Sequence, residues 1–178
     1  MFGTCYCQKL EPEDWHEREH RWEEPRFFYH VPTRMALHNP LAYNEDISRA
    51  MTEAKGKGYI VAPDALILLK SGLFRGEIFL EVRLPQGIQD RHRTGPPPAS
   101  CRRLRGRFYT IVSGAPLSQM GAVIEKLLAD LKKKGERVED LYLCLGSCPL
   151  CSREKGNLTA IIAQLAGRTE VKNPAKGT

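Results

Sequence analysis

RFYTIVSGAPLSQMGAVIEKLLADLKKKGERVEDLYLCL, residues 107–145, decides the fold, because it carries a strand, a helix and a second strand in succession. Residues 107–113 are rich in aromatic and β-branched side chains, which is typical of a strand. Residues 116–135 have apolar side chains every three or four positions and end in a glycine, so they predict an amphipathic helix. Residues 140–145 and 157–165 predict two more strands, and the order is therefore strand, helix, strand, strand.

The first half of the chain shows the same order of elements. A strand within residues 27–37 precedes a helix over 45–55 that Asn44 would cap, and strands over 65–69 and 77–84 follow. This similarity predicts an internal repeat. We divide the chain into an N-terminal extension with a CxC pair and a short helix over 1–24, repeat one over 25–85, a Pro-rich linker over 86–100, repeat two over 101–167 and a flexible tail over 168–178.

Pooling the strands of two such units predicts the fold class. We expect an α+β protein in which tandem strand-helix-strand-strand repeats form a mostly antiparallel sheet. Both helices would cover one face of the sheet, and the other face would form a ligand groove.

Length, composition and charge limit the classes of protein. The 178 residues, 42% of them hydrophobic, can bury a sizeable core. No segment is long and apolar enough to span a membrane, and the N-terminus lacks the pattern of a secretion signal, so we expect a cytoplasmic protein with no membrane partner. The net charge of +6 comes mainly from a basic Pro-rich turn and from lysines that favour a helix dipole. We therefore do not expect nucleic acid as a partner.

The cysteines predict a metal site. In a reducing compartment they are typical of metal ligands, redox groups or buried apolar side chains. Cys5 and Cys7 form a CxC pair and Cys148 and Cys151 form a CxxC pair, so together they could supply the four thiolates of a structural zinc site. Such a site would pin the N-terminal segment to the last hairpin. An iron-sulfur cluster on the same thiolates, with or without Cys144, and a redox CPLC pair are the alternatives.

Residues 11–24 contain a formal HExxH match between His16 and His20. On a helix the two histidines would share a face, as they do in zinc proteases. This segment is charged nearly all round except for Trp15 and Trp22, which a buried metal helix would not be. We interpret it as a short structural helix that lays the two tryptophans over the sheet or the mouth of the groove.

Two short segments and a helix ending give the chain a resemblance to a known family. Gly106-Arg107-Phe108 opens the second repeat, a helix of Leu/Ile character ends in Lys-Gly, and Glu139-Asp140-Leu141-Tyr142 follows it. In these features the chain resembles, over residues 25–167, the GyrI-like family, which includes the effector-binding domains of multidrug-responsive transcription activators. The resemblance implies a small-molecule pocket between the repeats, lined by aromatic residues and often by a carboxylate. It also implies either a stand-alone binder or a hydrolase of small reactive compounds.

Alternation along the strands indicates which side chains would face this pocket. Asp140, Tyr142 and Cys144 share one face of their strand, and Phe79 and Glu81 share one face of theirs. The ligand-binding residues that we expect are Tyr109, Tyr142, Asp140, Phe79, Glu81, Trp15, Trp22 and Cys144.

Three functions remain open at this point, and we favour a stand-alone protein that binds a small aromatic or apolar molecule. The alternative is a hydrolase in which Asp140 or Glu81 activates water and a tyrosine donates a proton to the leaving group. A further alternative is an iron-sulfur protein, or an interaction module that meets a protein or nucleic acid through its basic loop.

Overall fold

A computed structural model describes residues 6–147 and 156–167 of the chain. The strands are β1 (Arg18–Ala36), β2 (Asn39–Pro40), β3 (Ile67–Lys70), β4 (Arg75–Val82), β5 (Cys101–Ser113), β6 (Val138–Leu145) and β7 (Thr159–Leu165). The helices are α1 (Pro12–Trp15), α2 (Tyr43–Gly56), α3 (Gln86–Thr94) and α4 (Met120–Lys133), and a short 3₁₀ turn precedes α4.

The strands form an antiparallel sheet that closes on itself. Around the sheet the order is β1, β4, β3, β6, β7 and β5, and β5 pairs again with β1, so the six strands make a barrel. The short strand β2 forms a hairpin with the end of β1. The predicted mixed fold with an antiparallel sheet is confirmed. The face that we expected to form an open groove is the inside of this barrel.

Buried apolar side chains form two clusters, one on each face of the barrel wall. The outer cluster combines every second residue of the strands, such as Ile78 and Leu143, with the apolar faces of α2 and α4. The inner cluster contains no residue of α2, α3 or α4 and fills the barrel. Its buried members are Leu10, Phe28, Leu66, Leu68, Phe79, Leu104, Phe108, Tyr142, Cys144, Ala160 and Ile162.

The two long helices form where the apolar spacing predicts them. In α4, Met120, Leu127 and Leu131 are buried at intervals that keep them on one face. The helix ends before Gly135, which has a φ of 74° and so adopts the left-handed conformation that glycine tolerates. The Glu136 N–H then donates to the Leu131 carbonyl oxygen, which satisfies one of the last carbonyl groups of the helix.

Several element boundaries differ from the predictions. The helix expected within 11–24 covers only α1, because β1 begins at Arg18 and pairs with β5, whose ladder hydrogen bonds replace those of a helix. β1 therefore runs through the boundary expected between residues 24 and 25. The predicted linker contains α3. Helix α2 begins at Tyr43 after Ala42 in the N-cap position, so Asn44 lies inside the first turn and does not cap it.

The N-terminal segment reinforces the weakest seam of the barrel. β3 and β6 share a single paired position, Leu69 with Leu143. Beside this seam the Gln8 N–H donates to the Leu145 carbonyl oxygen at 3.0 Å, and the Gln8 side-chain oxygen accepts from the Ile67 N–H at 3.2 Å. Gln8 thus links strands that pair little with each other.

Candidate functional site

One mouth of the barrel contains a buried carboxylate surrounded by hydrogen-bond donors. Asp140 lies near the start of β6 on the inner face, and its side chain is only 13% exposed. Its carboxylate accepts from Lys70 Nζ at 2.7 Å, from Arg102 Nη2 at 2.8 Å and from the Tyr142 hydroxyl at 3.1 Å. The Leu141 N–H donates to it as well, at 3.1 Å. Asp140 therefore joins side chains from three strands, β3, β5 and β6.

The neighbours of Asp140 keep its carboxylate ionised. Burial by itself raises the pKa of Asp140, but the hydrogen bond and charge of Lys70, the Leu141 N–H and the charge of Arg102 outweigh burial and lower it below its ordinary value. A carboxylate with a low pKa and donors on both oxygens is a weak proton acceptor. Asp140 is therefore suited to holding its cationic neighbours in place.

Tyr142 stays neutral at this mouth. Its pKa is raised far above the ordinary value, mainly because burial disfavours the phenolate. The positive charge of Arg102 lowers the pKa, but the negative charge of Asp140 raises it further. Its hydroxyl proton is directed to Asp140 Oδ2. The ring of Phe79 lies edge-on to that of Tyr142, with 5.6 Å between their centroids.

An open pocket of about 290 Å³ adjoins this cluster at the barrel mouth. Its wall combines a carboxylate, an imidazole and a guanidinium, from Glu77, His30 and Arg102. Glu77 Oε1 lies 3.6 Å from His30 Nδ1, and the Glu77 side chain is 42% exposed. Phe79 is only 1% exposed and lies beneath this wall, with the His30 ring stacked on it at 5.8 Å and the Arg102 guanidinium carbon 5.9 Å from its centroid. Pro97, from the loop after α3, also lines the pocket.

The strand register explains how this pocket assembles. Glu77 pairs with Lys70 across the β3–β4 hairpin, and His30 pairs with Phe79 between β1 and β4. Paired residues of adjacent strands share a face, so all four side chains point to the inside. The residues expected from the sequence to line the pocket do not include His30, Lys70, Glu77 or Arg102. Glu77 could have been predicted, because it alternates along the strand with Phe79 and Glu81 and therefore lies on the same face as they do.

The structure brings three of the predicted ligand-binding residues together, namely Asp140, Tyr142 and Phe79. Glu81 lies elsewhere, since its carboxylate pairs with Arg26 Nε at 2.7 Å and accepts from the Leu66 N–H at 3.0 Å. Cys144 is completely buried within the inner cluster, and burial raises the pKa of its thiol to about 12.

The other three predicted residues lie apart from the Asp140 cluster. Trp22 packs on Phe108 inside the barrel, with 4.1 Å between centroids, and the guanidinium of Arg26 covers it. Trp15 contacts the ring of His20 at 5.1 Å. Tyr109 points to the opposite side of β5, toward α4.

Three of the four cysteines predicted to bind zinc lie outside the part of the chain that the structure describes. Cys5, Cys148 and Cys151 lie outside the described residues, and Cys7 is half-buried. Within residues 6–147 and 156–167, no group of three or more His, Cys, Asp or Glu side chains could hold a metal ion. Zinc on the four cysteines, or an iron-sulfur cluster in its place, therefore stays a prediction.

The HExxH segment is not helical. Glu17 adopts a positive φ of 54° and β1 starts directly after it. His16 Nδ1 accepts from the Val112 N–H at 3.1 Å, whereas His20 Nε2 bonds the Thr110 hydroxyl at 3.0 Å. The two histidines therefore serve separate contacts and do not form the metal pair of a zinc protease. No helix in the described part of the chain is long and apolar enough to cross a membrane.

The fold is similar to that of three solved proteins from Listeria innocua. A hydrolase superposes with a TM-score of 0.55 at 11% identity, covering 86% of this chain and 94% of its own. A hydrolase encoded by lin2189 gives 0.54 at 10% identity, with 85% and 93% covered. An uncharacterized conserved protein gives 0.52 at 11% identity, with 85% and 94% covered. Identities this low show a shared fold alone, and no curated protein matches the sequence.

The family comparison corrects two expectations. The family model described as "Bacterial hydrolase" matches residues 3–165, and the expected membership of the GyrI-like family is wrong. That resemblance depended on an order of elements and a few short segments, and such an order recurs in unrelated families. The preference for a binding protein over an enzyme is likewise not supported. The match spans nearly the whole of the chain, which therefore belongs to the bacterial hydrolase family.

Proposed function

We propose that the protein hydrolyses a small organic molecule in the pocket at the barrel mouth. Membership of the bacterial hydrolase family and the similarity to Listeria innocua proteins named as hydrolases support an enzyme of this class. The observation that carries the proposal is the shared pocket of Glu77, His30 and Arg102 beside the buried Asp140 cluster. It combines a proton acceptor with a fixed positive charge, which hydrolysis needs.

Glu77 is the group that we assign as general base. Its carboxylate is partly exposed in the pocket and its neighbour His30 leaves it accessible to a water molecule. Asp140 and Glu81 are poorer candidates for the base than the sequence suggested, because both carboxylates are held in ion pairs. Asp140 pairs with Lys70 and Arg102, and Glu81 pairs with Arg26. A base must reach the proton that it removes, and Glu77 meets that requirement.

Arg102 is the group that we assign to the negative charge formed during the reaction. As Glu77 takes a proton from water, the water oxygen bonds to the electrophilic carbon and negative charge develops on the oxygen attached to it. The Arg102 guanidinium, held by Asp140 Oδ2 at 2.8 Å, stabilises that charge without having to reorient. The bond to the leaving group then breaks, and the leaving group receives the proton from Glu77.

Asp140 and Tyr142 act as positioning residues in this account. Tyr142 directs its only hydroxyl proton to Asp140, so it does not donate to a leaving group while that bond is formed. The pocket volume of about 290 Å³ lies at the lower end of the range for small-molecule sites. A pocket of this size favours a small substrate.

The test uses wild-type protein and a panel of small aromatic esters, lactones and epoxides in water enriched in ¹⁸O. We expect at least one compound to gain one ¹⁸O atom per product molecule at a rate above the buffer control. Arg102→Ala should lower kcat by about 100-fold, because it removes the charge that faces the developing oxyanion. Arg105→Ala, an exposed arginine of the same strand, is the matched control and should leave kcat unchanged. Absence of ¹⁸O incorporation across the panel, or equal loss in both variants, would contradict the proposal.

A further inference from the structure

A second and larger pocket lies on the outside of the barrel, between α4 and β5. Its volume is about 500 Å³, and we term it the α4 pocket. Tyr109 and Ile111 line it from β5, and Val123 and Leu127 line it from α4. None of its lining residues belongs to the pocket at the barrel mouth. It is therefore a separate candidate binding site.

The α4 pocket exists because α4 covers the barrel less completely than α2 does. α2 buries six residues along its length, whereas α4 buries three. Val123 and Ile111 remain half-buried at the gap between the helix and the strand. Apolar side chains left partly in water gain free energy when an apolar ligand covers them.

The rim of the α4 pocket is positively charged. Three lysines and two carboxylates line it, and Lys133 already pairs with Asp130 at 3.5 Å. Lys126 and Lys134 have no ion-pair partner in residues 6–147 and 156–167, although Lys134 Nζ lies 5.1 Å from the ring centroid of Tyr109. These two lysines are available for an anionic group.

His16 adds a hydrogen-bond donor to the same pocket. Its Nδ1 accepts from the Val112 N–H, so the neutral ring carries its proton on Nε2. The turn that places His16 here includes Glu17, the second carboxylate of the lining, in a left-handed conformation that costs an L-residue free energy. Strained residues of this kind cluster at functional sites.

We propose that the α4 pocket binds a small amphipathic anion, with a carboxylate as its charged group. The apolar part lies between Val123 and Ile111 under the helix, and the carboxylate lies at the rim, where the positive charges of Lys126 and Lys134 attract it. The charge of the two lysines favours an anion over other ligands. A neutral molecule would gain no attraction from them, and a cation would be repelled. The inference does not depend on the hydrolase proposal.

Calorimetric titration of the full-length protein with decanoate tests the proposal. We expect saturable binding of one decanoate per chain, and binding of decanol and of decyltrimethylammonium weaker by at least about tenfold. Replacing both Lys126 and Lys134 with alanine should weaken decanoate binding by about tenfold or more. Lys132→Ala, the neighbouring lysine outside the pocket lining, should bind decanoate as the wild type does.

Two further variants decide which pocket is occupied. Val123→Trp fills the α4 pocket and should abolish decanoate binding, whereas Glu77→Gln changes only the barrel mouth and should leave it intact. The proposal is overturned if decanol binds as tightly as decanoate, if the double lysine variant behaves like Lys132→Ala, or if Glu77→Gln loses decanoate binding. Absence of ester hydrolysis by the wild type, with decanoate binding present, would count against the hydrolase proposal alone.

Discussion

Three inward-facing carboxylates show how neighbouring residues decide what an acidic side chain can do. Asp140 accepts from Lys70 and Arg102 and is held ionised. Glu81 is paired with Arg26. Glu77 lies 3.6 Å from the imidazole of His30 and faces an open pocket. All three side chains are carboxylates, and their different neighbours are the reason that we assign the general base to Glu77.

Asp140→Asn should destabilise the protein in a pH-dependent way. Because the folded-state pKa of Asp140 is lowered, its carboxylate stabilises the fold fully above the unfolded-state pKa, about 3.9, and loses this effect as the pH falls through the folded-state pKa. We expect the variant to lose about 1–3 kcal/mol of unfolding free energy at neutral pH. At about pH 3 the difference in unfolding free energy between variant and wild type should be smaller.

Urea unfolding of wild type and variant at the two pH values measures this effect. Asp64→Asn, which changes an exposed carboxylate, is the control and should alter stability by less than about 0.5 kcal/mol. A difference between wild type and Asp140→Asn that is the same at both pH values would mean that the carboxylate charge is not what stabilises the cluster.

Individual elements follow their local sequence closely where hydrophobic periodicity is strong. The spacing in 116–135 predicted α4, and alternation in 140–145 placed Tyr142 and Cys144 on one face and the leucines on the other. The sequence of 11–24 predicts a helix where the second half of the segment is a strand, because its charges suit an exposed helix and an exposed strand equally. Only pairing with β5, which is distant in the sequence, decides that Arg18 begins a strand.

The hairpin between β1 and β2 contains a local conflict between residue type and conformation. Its two central residues, Leu37 and His38, have φ values of 47° and 69°. Such a turn favours Asn or Gly, and a left-handed leucine is strained. The Leu37 side chain is 66% exposed, so its burial contributes little free energy to offset this strain.

Leu37→Asn should therefore stabilise the protein by about 0.5–1 kcal/mol. Thermal unfolding compared with Leu41→Asn measures the effect, because Leu41 is equally exposed but does not have a positive φ. The control should change stability by less than about 0.5 kcal/mol. Equal stabilities of the two variants would show that turn strain is not the cause.

At the scale of the whole molecule, closure of the barrel is the feature that the sequence analysis did not predict. Alternation gave the two faces of the sheet correctly, but alternation is the same for an open sheet and for a barrel. Closure depends on pairing of β1 with β5, two strands that are far apart in the sequence. The candidate site was missed in part for the same reason, since Arg102 meets Asp140 only inside a closed barrel.

The metal prediction also belongs to the whole molecule, because its four cysteines come from both ends of the chain. The bond between Gln8 and Leu145 places Cys7 beside the end of β6, and Cys148 follows three residues after Leu145. We expect purified protein to contain about one zinc ion per chain by elemental analysis. Cys148→Ser should lose the metal, whereas Cys101→Ala should retain it. A brown protein containing iron and no zinc, or a protein free of both metals, would contradict the zinc assignment.

If Glu77 activates water at the barrel mouth, Glu77→Gln should have a much lower kcat/KM than the wild type. With a compound that the wild type hydrolyses, we expect a loss of at least about 100-fold, because the amide cannot accept the proton of water. Glu81→Gln, a change of the same kind on the same strand, should stay within about threefold of wild type, since Glu81 lies outside the pocket. Wild-type activity in Glu77→Gln, or an equal loss in Glu81→Gln, would contradict this role of Glu77.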